Sequence, residues 1–105
     1  MHLQISLAHV ELTDQIKKII DDKFTRPTDR LLKKFNNELT TADLHLERLS
    51  FGDYKATFDM HLPGKKQIYA QNSHPDLVTT ITGLREQIEK QIKKYKAELV
   101  NYSLG

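Results

Sequence analysis

The stretch YKATFDMHL, residues 54–62, alternates from end to end, with Tyr54, Ala56, Phe58, Met60 and Leu62 on one side and Lys55, Thr57, Asp59 and His61 on the other. A period of two held this long predicts a strand with one face buried and the other in water. Just upstream, Ala42, Leu44 and Leu46 alternate with Asp43, His45 and Glu47, and a turn around Phe51-Gly52-Asp53 separates the two runs. Together they read as an antiparallel hairpin. Downstream, Pro63-Gly64 makes a second turn, and Ile68 and Ala70 mark a shorter strand. The chain opens on another alternation, Leu3, Ile5 and Leu7 around Gln4 and Ser6.

Between the opening strand and the hairpin, Thr13-Asp14 supplies an N-cap, and Ile16, Ile19, Ile20 and Phe24 follow at helical spacing. Pro27 lacks a backbone donor and pushes Arg26 away from helical angles, so a break or kink is expected there. Thr28 or Asp29 would cap a fresh turn carrying Leu31, Leu32 and Phe35. A long last helix starts near Pro75-Asp76, after Ser73 or His74, and carries Leu77, Ile81, Leu84, Ile88, Ile92, Tyr95, Leu99 and Tyr102 as one stripe. Gly83 lies inside that helix, where close packing against a neighbour is the expected reason for it. The order β-α-β-β-β-α gives an α+β fold: a four-stranded sheet with two helices packed on one face, the other face solvated, all within one domain spanning residues 1–105.

The composition, 38% apolar and 29% charged with no cysteine, is that of a globular chain without disulfides, thiolate metal sites or thiol nucleophiles. No stretch approaches a membrane span, and Met1-His2-Leu3-Gln4 leads into the first strand without a secretion signal, so a cytoplasmic location is expected. The net charge of +2 is small, but it is segregated. Residues 17–36 hold Lys17, Lys18, Lys23, Arg26, Arg30, Lys33 and Lys34 against Asp21, Asp22 and Asp29, for +4. Residues 85–96 hold Arg85, Lys90, Lys93, Lys94 and Lys96 against Glu86 and Glu89, for +3, leaving −5 elsewhere.

Two readings of these cations stand side by side. They keep two helices soluble, with Glu86–Lys90 and Glu89–Lys93 as local pairs, or they form a surface for phosphates. A phosphate surface fits irregular RNA better than DNA, because no recognition helix, zinc-finger spacing or basic zipper is present. Tyr69 is the only aromatic expected on the open sheet face, so that face is no base-stacking platform. If the hairpin pairs residues whose numbers sum to 104, His45 opposes Asp59 and Asp43 opposes His61, which would gather a metal or acid/base cluster; simple cross-strand polar pairing explains the same residues. His2, His9 and His74 are isolated, and phosphate-binding loops, nucleophile elbows and dinucleotide fingerprints are absent. Catalytic residues, metal ligands and cofactors are therefore not expected.

Several stretches, in register across nearly the whole chain, carry a resemblance. They are His9-Val10-Glu11-Leu12-Thr13-Asp14 after the first strand, Lys23-Phe24 late in the first helix, Ile68 and Ala70, Asp76-Leu77 with Ile81, and Leu84, Ile88, Gln91, Ile92, Lys94 and Lys96. In these the chain resembles the ribosome hibernation-promoting factor family, also called protein Y or ribosome-associated inhibitor A. The resemblance implies a fold like the double-stranded-RNA-binding domain and docking in the small ribosomal subunit, where messenger and transfer RNA would otherwise sit. It also implies a non-enzymatic inhibitor of translation on idle ribosomes that is monomeric off the ribosome and has no small-molecule substrate. It assigns RNA contact to Lys17, Lys23, Lys90, Lys94 and Lys96; for Lys18, Arg26, Arg30, Lys33, Lys34, Arg85 and Lys93 the case is charge and placement alone. The likeness is to the short form, without a second, ribosome-pairing domain after Gly105. The alternatives are a generic structured-RNA binder and a metal-dependent enzyme using Asp43, His45, Asp59 and His61.

Overall fold

The computed structural model describes residues 2–33, 41–62 and 66–104, with side chains through residue 98. Lys34, Phe35, the Asn36-Asn37 region, the Pro63-Gly64 turn and the side chains of Leu99 and Tyr102 lie outside the described set. The elements are β1 (His2–Ala8), α1 (Asp14–Ile20), a π-helical turn (Asp21–Thr25), α2 (Arg26–Leu32), β2 (Thr41–Arg48), β3 (Tyr54–Leu62), β4 (Lys66–His74) and α3 (Leu77–Leu104). The expected α+β order is present, in one mixed sheet ordered β1-β2-β3-β4 with β1 parallel to β2 and the remaining pairs antiparallel.

The alternating strands turn Leu44, Leu46, Ala56, Phe58, Met60, Ile68 and Ala70 onto the helices, where all are buried with Ile20, Phe24, Leu32, Ile81, Leu84, Ile88, Ile92 and Tyr95. Phe24 meets Phe58 edge-on, with ring centroids 5.2 Å apart at 64°, and so seats the middle of the first helical segment over a central strand. Burial of these apolar faces is the main term holding helices to sheet.

The hairpin register differs from the expected one by two residues. Asp43 pairs with Asp59, Leu44 with Phe58 and His45 with Thr57, and Arg48–Tyr54 closes the ladder. The cause is the connection: Gly52 N–H donates to Leu49 C=O at 2.9 Å and Leu49 N–H to Asp53 C=O at 2.7 Å, with Gly52 at φ 100°. This compact turn, with glycine in the left-handed region that a side chain would disfavour, fixes where pairing begins. A two-residue shift keeps every side chain on its expected face but changes each partner across the ladder.

Pro27 does not break the first helical segment. Ile20, Asp21, Thr25 and Arg26 all hold right-handed helical angles, and the helix widens just before the proline, where Arg26 N–H donates to Asp21 C=O five residues back. The proline then stands in the first turn of α2, a place where it needs no donor. The spacing of the buried face explains the widening. Ile16, Ile20, Phe24, Thr28 and Leu32 face the core at strict four-residue intervals. At about 100° per residue each step overshoots a full turn by about 40°, or about 160° across the set. One extra residue in a π turn takes back about 100°, which returns the set to a face of ordinary width. Thr28 is accordingly a fully buried helix residue and not the cap of a new turn.

β4 is as long as β3, because Gln71–His74 continue to pair with β3 although they bury little apolar surface. Its outer edge is held by α3: the Gln91 side-chain amide donates to Tyr69 C=O at 2.7 Å while its oxygen accepts from Tyr69 N–H at 3.3 Å. Asn72 Nδ2 donates to Thr80 C=O at 3.1 Å, and a Cβ at Gly83 would come within 2.3 Å of that same amide, which confirms close approach as the role of the glycine. α3 begins at Asp76. Its carboxylate accepts from Thr79 N–H at 2.9 Å and Thr79 Oγ1 at 2.7 Å, bonds that favour the ionised form and hold its pKa below the usual 3.8.

Candidate nucleic-acid interface

Thr13 Oγ1 caps α1 by accepting from Ile16 N–H at 3.2 Å, and the apolar positions that face the sheet leave Lys17, Lys18, Lys23, Arg30 and Lys33 exposed on the outer side of the first helical segment. On α3 the contacts of Thr80 and Gln91 place one flank over β4, an edge strand. The opposite flank, carrying Arg85, Glu89 and half-buried Lys96, therefore faces the first helical segment. Lys90, Lys93 and Lys94 lie on the outer surface, and all are exposed. Since both helical segments cover the same side of the sheet, these cations share one face of the molecule.

The predicted cations are not equivalent. Arg26 Nε lies 3.0 Å from Asp21 and its Nη1 lies 3.5 Å from Asp22, while Arg85 Nη1 lies 3.3 Å from Glu89. Glu89 is thus matched by Arg85, in place of the expected pairs Glu86–Lys90 and Glu89–Lys93. Lys17, Lys18, Lys23, Arg30, Lys33, Lys90, Lys93 and Lys94 have no carboxylate within ion-pair distance among the described residues. The Asp22–Arg26 spacing of four was the readable sign that Arg26 is matched internally.

The open sheet face has the opposite character. Asp43 stands directly across from Asp59, Glu47 faces Lys55, Asp59 accepts from Gln67 Nε2 at 2.8 Å, and His45 Nδ1 shares a 2.7 Å hydrogen bond with Ser6 Oγ. The register thus separates the His/Asp pairs that a metal or acid/base cluster required. Among the described residues no three His, Asp or Glu side chains converge as metal ligands. Tyr69 is on this face and half exposed, whereas Tyr54 and Phe58 are in phase with the buried set. No described helix is long and apolar enough to cross a membrane.

The fold and these surfaces define a class: a small α+β domain whose two helical segments carry exposed cations on one side of a sheet, with Asp43, Glu47 and Asp59 on the other. A family model described as Sigma 54 modulation protein / S30EA ribosomal protein matches residues 3–100, and the chain belongs to that family. It is 26% identical over 92 residues to a ribosome hibernation promotion factor of Lactococcus lactis subsp. cremoris, a match covering 87% of this chain and 47% of that protein. It is 26% identical over 96 residues to a ribosome hibernation promoting factor of Pseudomonas putida, covering 91% of this chain and 87% of the relative. The chain therefore spans about half of the Lactococcus protein and most of the Pseudomonas one. The crystal structure of the Thermus thermophilus protein Y N-terminal domain superposes with a TM-score of 0.71 at 21% identity, covering 90% of this chain and 99% of that one, and shows the same fold.

Proposed function

We propose that the protein is a ribosome-associated translation inhibitor that binds small-subunit ribosomal RNA in the messenger and transfer RNA decoding region of idle ribosomes and promotes their hibernation. The observation that carries this reading is the shared helical face of cations that no carboxylate matches among the described residues, set opposite the Asp43–Asp59 pair of the sheet. The names of the relatives support it. Seven of those eight cations are lysines, point charges on flexible stems that fit phosphates of irregular spacing better than they read base edges. Each phosphate neutralised releases condensed counterions and steepens the fall of affinity with salt. The like-charged Asp43–Asp59 pair on the far side opposes docking in the wrong orientation. Such a factor acts by occupancy, in the cytoplasm, without a cofactor or a catalytic step.

The experiment is co-sedimentation with purified small subunits and whole ribosomes across a salt series, beside a Lys90→Glu/Lys93→Glu/Lys94→Glu variant and with messenger and transfer RNA as competitors. Saturable binding that is displaced by the competitors, and lost in the variant, is the expected result. Losing one phosphate contact lowers the log–log salt slope by about 0.7–0.9, so Lys23→Gln is expected to lower it by that amount, while Arg26→Gln, already matched by Asp21 and Asp22, leaves it nearly unchanged. Binding that ignores salt and the lysine changes overturns the reading. Binding to free structured RNA without displacement by the competitors moves the function off the decoding region.

A further inference from the structure

The end of the sheet where β1 stops carries a feature that the cationic face does not explain. A depression of about 520 Å³ is lined by His9, Glu47, Arg48, Leu49, Ser50 and Phe51. A second, of about 290 Å³, continues from His9 and Arg48 past Glu11 to Thr13 and Ile16 at the start of α1. Phe51 stands at the rim of the first with 74% of its surface exposed, the most exposed large hydrophobic side chain among the described residues. It is not on a loose loop, because the two backbone bonds between Leu49 and Gly52 and between Leu49 and Asp53 fix the turn that presents it. Turn positions favour Gly, Asn, Asp and Ser, and a phenylalanine presented to water by an ordered turn contributes nothing to the core. The Arg48 guanidinium lies 5.6 Å from the centre of the Tyr54 ring, so its position is also set. His9 holds a left-handed backbone, φ 59°, at the point where the chain leaves β1 for α1.

We infer that this cleft is a second RNA contact, which takes one unpaired nucleobase against Phe51 with its phosphate toward Arg48 and His9. The inference rests on the RNA-binding reading above and extends it from phosphates to a base. A flat aromatic beside a fixed guanidinium is the arrangement on which unpaired bases stack, and stacking tolerates any base because each has a π face. The Glu47 carboxylate on the cleft wall is an acceptor for exocyclic amino groups, which favours guanine, cytosine or adenine over uracil. The cleft reaches the first turn of α1, so Lys17 and Lys18 lie just beyond it and can hold the neighbouring phosphates of the same strand. This places a base-dependent contact at one end of an otherwise sequence-blind surface.

The test compares two labelled RNAs, a stem carrying an unpaired bulge and the same stem fully paired, bound to the full chain, to Phe51→Ala and to Phe51→Trp. The expected result is that the protein binds the bulged stem about tenfold more tightly than the paired one. Phe51→Ala removes that preference while leaving affinity for the paired stem and the salt slope unchanged, and Phe51→Trp keeps the preference. Equal binding of the two stems by the unaltered protein, or an unchanged preference in Phe51→Ala, overturns the cleft while the cationic face stands. Binding of neither stem, together with failure to bind small subunits, overturns both; the same failure with ribosome binding intact overturns the cleft alone.

Discussion

Replacing Phe24 tests whether the first helical segment is seated on the sheet by one ring pair. Phe24 and Phe58 are both fully buried and meet edge-on at 5.2 Å, one in the π-helical turn and the other in central strand β3. Truncation to alanine should cost about 3–5 kcal/mol through lost transfer energy and the cavity left behind. At roughly 4 °C or more per kcal/mol for a chain of this size, the Tm would fall by about 12–20 °C or further. The sharper measurement is a double-mutant cycle with Phe24→Leu, Phe58→Leu and the pair, followed by urea denaturation. Leucine has higher helix propensity than phenylalanine and lower strand propensity, and both offsets cancel around the cycle. What remains is the ring–ring term, expected at about 0.5–1.5 kcal/mol. A coupling below about 0.3 kcal/mol would refute the reasoning, because the two rings would then be near each other without holding each other.

Gln91→Ala removes both hydrogen bonds to the Tyr69 backbone and should destabilise the protein by about 1 kcal/mol, less the few tenths that alanine returns in helix propensity; hydrogen exchange should speed up at the Tyr69 amide first. The lowered pKa of Asp76 gives a pH dependence of known sign. Its contribution is complete above the unfolded value near 3.8 and is lost as pH falls through the lower folded value, so thermal melts of the protein and of Asp76→Ala should differ at neutral pH and converge in acid.

Every strand and the last helix are legible in the sequence because each carries one unmixed period: two in β3, and an uninterrupted three-four stripe from Leu77 to Tyr95 in α3. The register is not legible in the sequence, because pairing starts where the turn allows and residues 49–53 permit more than one closure. Pro27 signals a break in the sequence through the donor it lacks, whereas the strict four-residue repeat on either side of it signals continuity. That repeat was legible, but polar Thr28 concealed it. β4 was read short because backbone pairing, unlike burial, leaves no mark in hydropathy. The cations could be listed from sequence. Which of them the protein already neutralises depends on side-chain geometry: Asp22–Arg26 and Arg85–Glu89 pair at a spacing of four, whereas Glu86–Lys90 and Glu89–Lys93 share that spacing and do not. His9 looked isolated because its neighbours in the cleft, Arg48 and Phe51, come from a hairpin some forty residues away.

The wide turn at Asp21–Thr25 also bears on how this chain should be aligned with others. A π turn holds one residue more than the α turn it replaces. Inserted into an ordinary helix, one residue would rotate everything beyond it by about 100° and drag buried positions into water. Here the surplus is absorbed locally, so Ile16 and Leu32 keep the same orientation toward the core although an odd residue lies between them. Against any relative whose helix is α throughout, residues before the turn and residues after it cannot share one ungapped correspondence. The gap belongs between Asp21 and Thr25, and a role transferred to Arg30 or Lys33 without it lands on the wrong side chain.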